Sequence, residues 1–227
     1  MEYKDKIEIF LESYQQEIRI ACQAYYAYKS LNTIPYNDKK IRARLNRTPV
    51  SWLIIMHSLQ ATFIMSLGRL FDENGDAQSI HSIIKYCENP KNRREFSKGR
   101  LYRRKIRDGF SDPLARDYIR TKQYPSGKFF SDLNLLKKKY AKDSKNYKKI
   151  RHRVFGHRIA KTTPEAQRLF LATSVDEIEE ILEFLYKVGR IIRSLVNNGD
   201  ITELHNHGFL EKGIIEDDIE KLLNDFA

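Results

Sequence analysis

A chain of 227 residues with 41 Lys+Arg against 30 Asp+Glu, a formal net charge of +11, can bury a core without disulfides or metals and calls for an anionic partner. Its two isolated cysteines, Cys22 and Cys87, argue against a disulfide framework or a zinc knuckle and read as buried, inert thiols. No apolar run follows a basic segment at the start, and the best apolar stretch, Leu53-Ile54-Ile55-Met56, is interrupted by His57; neither signal peptide nor membrane span is expected, which places the protein in the cytoplasm with no membrane partner.

In chain order, Ile7, Phe10, Leu11, Tyr14, Ile18, Ala21, Tyr25 and Tyr28 recur at three- and four-residue steps, the period of one buried helical face. The turn formers of Asn32-Thr33-Ile34-Pro35-Tyr36-Asn37-Asp38 break that helix before a short basic run through Arg47. Thr48 as cap and Pro49 in the first helical position start a second helix to about Phe71. Its apolar residues cover much of the circumference, so it belongs near the centre of a bundle. A turn at 72–76 leads to a short helix around Ile80, Ile83, Ile84 and Cys87, stopped at Asn89-Pro90.

From Lys91 to Lys128 the pattern is weaker, and glycines and prolines cut it into short pieces, as in an insertion between core helices. A helix then runs from Phe129 through Tyr140, with Tyr147, Ile150 and Val154 continuing its period towards Gly156-His157 and Asp143-Ser144 as the place for a bend. Ser174-Val175-Asp176-Glu177 reads as a capping box ahead of the clearest helix, which stops at Asn197-Asn198-Gly199; a last short helix lies over 214–226. With no strand pattern and no repeat, the fold class is all-α, an up-and-down helical bundle in a single domain over 1–227.

The charge is regional. Between Lys91 and Lys161 stand 24 Lys+Arg and 6 Asp+Glu, against 17 and 24 elsewhere. Aromatics interleave with these cations at Phe96, Tyr102, Phe110, Tyr118, Tyr124, Phe129, Phe130, Tyr140 and Tyr147, as where bases stack beside phosphate-binding groups, although some of these rings must be core. The densest signal is Lys148-Lys149-Ile150-Arg151-His152-Arg153-Val154-Phe155-Gly156-His157-Arg158. Arginine grips phosphate through a planar fork and histidine titrates near neutrality, so the pair suits phosphodiester transesterification without metal or cofactor. Spacing alone carries little, since an arginine five to seven positions before a histidine arises by chance about once or twice in such a chain. On a straight helix Arg151 and His157 differ by about 240°, so a bend near Gly156 or a second copy across a two-fold axis is needed to focus them on one phosphate. A structural histidine near a helix C-terminus is the plain alternative for His157. Arg69 and Asp72 read as a local ion pair or cap that braces the fold. His205-Asn206-His207 lacks metal ligands at a convincing spacing.

Two segments resemble the HEPN superfamily, and within it the abortive-infection branch called AbiU: Ser66-Leu67-Gly68-Arg69-Leu70-Phe71-Asp72 with the following Ser79-Ile80-His81-Ser82-Ile83-Ile84, and Arg151-His152-Arg153-Val154-Phe155-Gly156-His157. The resemblance spans roughly residues 1–200. It implies a metal-independent endoribonuclease, active as a homodimer whose two protomers bring arginine and histidine together, in phage defence or toxin–antitoxin control. Carried onto matching positions, Arg151 holds the scissile phosphate, His157 moves protons and His152 takes the polar supporting position, leaving a cyclic phosphate and a 5′-hydroxyl. His157 is followed by Arg158-Ile159-Ala160, with no tyrosine for nucleotidyl transfer. Lys148, Lys149, Arg153, Arg158, Arg103 and Arg104 are the expected RNA contacts, and an antitoxin or other regulatory protein is a further partner. The rivals are a non-catalytic RNA- or nucleotide-binding module and an adaptor for an acidic protein.

Overall fold

The computed structural model describes residues 6–73, 79–122, 125, 127–143, 145–156, 164, 168–169, 175–200 and 208–225. Among them every regular element is helical. Helix α1 (Lys6–Asn37) is the axis of the bundle, and Ile7, Leu11, Tyr14, Ile18, Ala21, Cys22 and Tyr25 are buried along it at the three- and four-residue steps read from the sequence. The helix does not break at Asn32. The amide of Asn32 donates to the carbonyl of Tyr28 (2.8 Å) and the hydroxyl of Thr33 to that of Lys29 (2.8 Å), so two turn formers satisfy themselves on their own helix. The break comes at Asp38, whose carboxylate accepts from the Lys40 and Ile41 amides (2.7 and 3.1 Å) and starts α2 (Lys39–Leu45).

Helix α3 (Pro49–Leu70) runs antiparallel to α1: Arg69 meets Glu17 at one end, and the Phe63 ring meets those of Tyr25 and Tyr28 further along. Pro49 occupies the first turn, but Thr48 makes no side-chain cap bond. Only the C-terminal half is central, with Phe63, Ile64, Leu67 and Leu70 buried; the N-terminal half is largely exposed, which corrects the expected position near the bundle centre for that half. The absence of a span-like stretch is corrected too, because α3 is by length and composition apolar enough to cross a membrane.

Helix α4 (Ile80–Glu88) is capped by the Ser79 hydroxyl. A 3-10 turn (Pro90–Phe96), α5 (Lys98–Arg107) and α6 (Asp112–Arg120) follow, then α7 (Gly127–Asp143) and α8 (Lys145–Ile150), which continues as a π-helical turn (Arg151–Gly156). Helix α9 (Val175–Asn198) lies antiparallel to α1: the Gln15 amide donates to the Gly189 carbonyl (3.2 Å) and, eleven residues further along α1, the Tyr26 hydroxyl to the Glu179 carboxylate (3.4 Å). It ends where sequence placed the stop, with Gly199 at φ 65° and its amide on the Leu195 carbonyl (3.1 Å). Ser174, expected to open the capping box, lies outside the described residues. Helix α10 (Lys212–Asp225) closes the bundle; the Glu179 carboxylate ties it to α1 and α9 by accepting from Lys212, Lys29 and the Tyr26 hydroxyl. Both cysteines are free and fully buried, and burial pushes the Cys87 thiol up to about 12.

Helices α5 and α6 clamp the far end of α9. Arg104 pairs with Glu8 and donates to the Val196 carbonyl (2.8 Å), the Tyr118 hydroxyl donates to the Asn198 carbonyl (3.2 Å), and Lys122 pairs with Asp200 (2.7 Å). The C-terminal carbonyls of α9 have no partners within the helix, and the Arg104 guanidinium and Tyr118 phenol supply those of Val196 and Asn198.

Candidate active site

The site forms where the C-terminus of α3 meets the turn after α8. Tyr147 and Ile150 are buried, and Val154 and Phe155 pack against the same core, so one apolar edge pins the segment while Lys149, His152 and Arg153 stand exposed on the other. This is helical periodicity acting as an orienting device: the residues between the anchors must face outwards.

Arg151 lies across α3 at Gly68. Its Nη1 donates to the Gly68 carbonyl (3.0 Å) and to the Asp72 carboxylate (3.1 Å), and its side chain remains 32% exposed. The Phe71 amide takes the Leu67 carbonyl and the Asp72 amide that of Arg69, so the Gly68 carbonyl is one of the terminal acceptors that α3 cannot satisfy itself. A Cβ on Gly68 would fall 2.2 Å from the Arg151 Cδ and 3.1 Å from its Cβ and Cγ. Only glycine lets the arginine chain lie so close to the helix. Beside this seat Lys148 pairs with Glu73 (2.7 Å), and that hydrogen bond holds the Glu73 carboxyl below its usual range. The family model for AbiU2, of the HEPN superfamily, matches residues 4–208.

The chain belongs to the AbiU2 family. No curated protein and no solved structure matches it. In this AbiU2 member the two segments that carried the resemblance, far apart in sequence, are brought into contact by the Gly68, Asp72 and Arg151 interactions. His157 and Arg158 lie outside the described residues, as do His205 and His207.

Arg69 and Asp72 face different partners from the local pairing read in the sequence. Arg69 reaches Glu17 through Nε and Nη2 (2.9 and 2.7 Å) and the Ser66 hydroxyl (3.1 Å), while Asp72 takes Arg151. Of the expected RNA contacts, Lys149, Arg153 and Arg103 are exposed and Lys148 is half-buried on Glu73. Arg104 is a correction: its side chain is 11% exposed and bound between Glu8 and α9, which makes it part of the fold. The aromatic interleaving also resolves largely into packing, since Phe96 meets Phe130 (5.5 Å), Tyr140 stacks on Phe184 (4.4 Å), Phe110 meets Tyr118 (5.9 Å) and Tyr147 is buried.

Sequence reasoning missed Gly68 as the seat of Arg151 and His81 as the residue against Phe71. A glycine inside a strongly helical apolar run was the available signal for close approach. The His81 ring stands against Phe71 (6.5 Å between centroids), its buried Nε2 has no hydrogen-bond partner among the described residues, and burial, then Lys137 and Lys148, lower its pKa.

Proposed function

We propose that the protein is a metal-independent endoribonuclease of abortive infection, in phage defence or toxin–antitoxin control, acting at a composite site of two copies. The observation that carries the reading is the Arg151 guanidinium, positioned from behind yet accessible: both its contacts among the described residues fall on Nη1, so Nε and Nη2 keep their donors for a phosphate fork. Asp72 fixes its direction, as preorganised binding of a charged transition state requires. His157, five residues beyond the exposed His152, supplies the imidazole of the pair. In the reaction the ribose 2′-oxygen attacks phosphorus as its proton passes to a base, the bond from phosphorus to the 5′-oxygen breaks, and the leaving oxygen takes a proton from an acid. The products are a 2′,3′-cyclic phosphate and a 5′-hydroxyl. An imidazole can serve each proton transfer in its matching protonation state, and the guanidinium neutralises charge growing on the phosphoryl oxygens.

The test incubates purified protein with mixed cellular RNA and excess chelator, beside Arg151→Lys and His157→Ala. Cleavage should survive the chelator and fall at least about 100-fold in either variant, because a lysine keeps the charge but not the fork and general acid–base catalysis contributes about that much. Full cleavage by His157→Ala would remove the imidazole from the mechanism.

The capping of the Gly68 carbonyl by Arg151 favours a second reading, a non-catalytic RNA-binding module in which the arginine serves the fold. That reading expects RNA binding without cleavage in the parent protein and equal binding by His157→Ala.

A further inference from the structure

Val50, Ile54, His57, Ala61, Ile64 and Gly68 recur along α3 at alternating four- and three-residue steps, so they share one stripe of the helix. The stripe has two fates. Its lower part is closed, with Ile64 and Gly68 buried and Arg151 lying on Gly68. Its upper part is bare, with Val50 67% and Ile54 62% exposed; Leu53 beside it is 57% exposed, and Tyr36 at the end of α1 79%. Three residues join α2 to α3, and α2 with that link carries Lys39, Lys40, Arg42, Arg44 and Arg47. Between Asp38 and Asp72 the chain has six Lys+Arg and no acidic residue. Ile219 and Leu223 of α10 pack in the cluster of Ile41, which brings Glu220 and Asp225 towards the same end, so these two carboxylates and the α2 cap Asp38 stand against the five cations.

We infer that this end of the molecule docks on an anionic phospholipid surface. Bare aliphatic side chains beside a cluster of cations meet the two needs of interfacial binding: apolar groups enter the acyl boundary and cations lie on acidic headgroups. A second copy is disfavoured, because a two-fold contact would set one acid-free, positively charged segment against another. RNA would engage the cations but has no use for Val50, Leu53 and Ile54, since bases stack on aromatic planes. The helix lies on the surface and does not cross it, as Phe63, Leu67 and Leu70 lock its other half into the core. The inference replaces the expectation of no membrane partner and stands independently of ribonuclease activity.

The experiment sediments the full-length, nucleic-acid-free protein with vesicles of phosphatidylcholine alone or mixed with phosphatidylglycerol, beside Leu53→Ser/Ile54→Ser and Lys39→Glu/Arg42→Glu. All four positions are exposed, so the variants should keep the parent's helicity by circular dichroism. The parent should bind the mixed vesicles in a salt-sensitive manner, and each double variant should bind at least about tenfold more weakly. Equal binding to both vesicle types, no binding to either, or undiminished binding by the Leu53→Ser/Ile54→Ser variant overturns the proposal. A fall in mass by light scattering for that variant, with vesicle binding unchanged, assigns the stripe to a second copy. Loss of RNA affinity alone assigns it to RNA.

Discussion

Replacing Gly68 with alanine perturbs the site through one methyl group. The added Cβ would sit 2.2 Å from the Arg151 Cδ, where carbon atoms prefer about 3.5–4.0 Å, so the arginine chain must withdraw by roughly 1.5 Å. Alanine favours the helix by about 1 kcal/mol over glycine. Against this stand about 1–3 kcal/mol of overpacking and about 1–2 kcal/mol for the bonds from Nη1 to the Gly68 carbonyl and Asp72, taken at the low end of charge-assisted values because Arg151 is 32% exposed. The balance is a loss of about 1–4 kcal/mol, measured by urea unfolding at pH 7. Repeating the substitution in an Arg151→Ala background decides the cause. With the long side chain gone only the 3.1 Å approach to Cβ remains, and the change should become nearly neutral. RNA cleavage by Gly68→Ala should fall about 100-fold, as expected for a misplacement on the order of 1 Å. Equal destabilisation in both backgrounds, or a stabilised Gly68→Ala with intact cleavage, would refute the seating of Arg151 on Gly68.

Two further outcomes follow from the same contacts. Arg104→Ala should lower stability by about 2–3 kcal/mol while leaving RNA affinity unchanged, because it strips the nearly buried Glu8 and the Val196 carbonyl of a shared cation; a drop in RNA affinity without a drop in thermal stability would return Arg104 to the RNA-binding surface. His81, whose pKa is lowered in the folded state, binds a proton more readily in the unfolded chain, so its contribution is fully present above its unfolded value of about 6.5 and is lost as pH falls from there towards the folded value. His81→Phe should flatten the decline in stability below about pH 6.5; an unchanged slope in urea midpoints would place that proton elsewhere.

The sequence by itself determined the helices and their buried faces. The period of Ile7, Leu11, Tyr14 and Ile18 in α1 is a local property of spacing, as is the glycine stop after α9. It also marked both halves of the site, because the Gly68–Asp72 segment and the Arg151 segment each carry a pattern of residue types. Only the tertiary structure decided which charges are free. Arg103 and Arg104 are neighbours of one kind, yet helical rotation leaves the first exposed and places the second between Glu8 and the end of α9. Likewise the apolar residues of α3 announce burial in number, but whether Val50, Leu53 and Ile54 are covered depends on how far α8 and the turn after it reach along the helix. Spacing is encoded within a segment, whereas burial and pairing belong to two segments meeting, and no local pattern specifies the second.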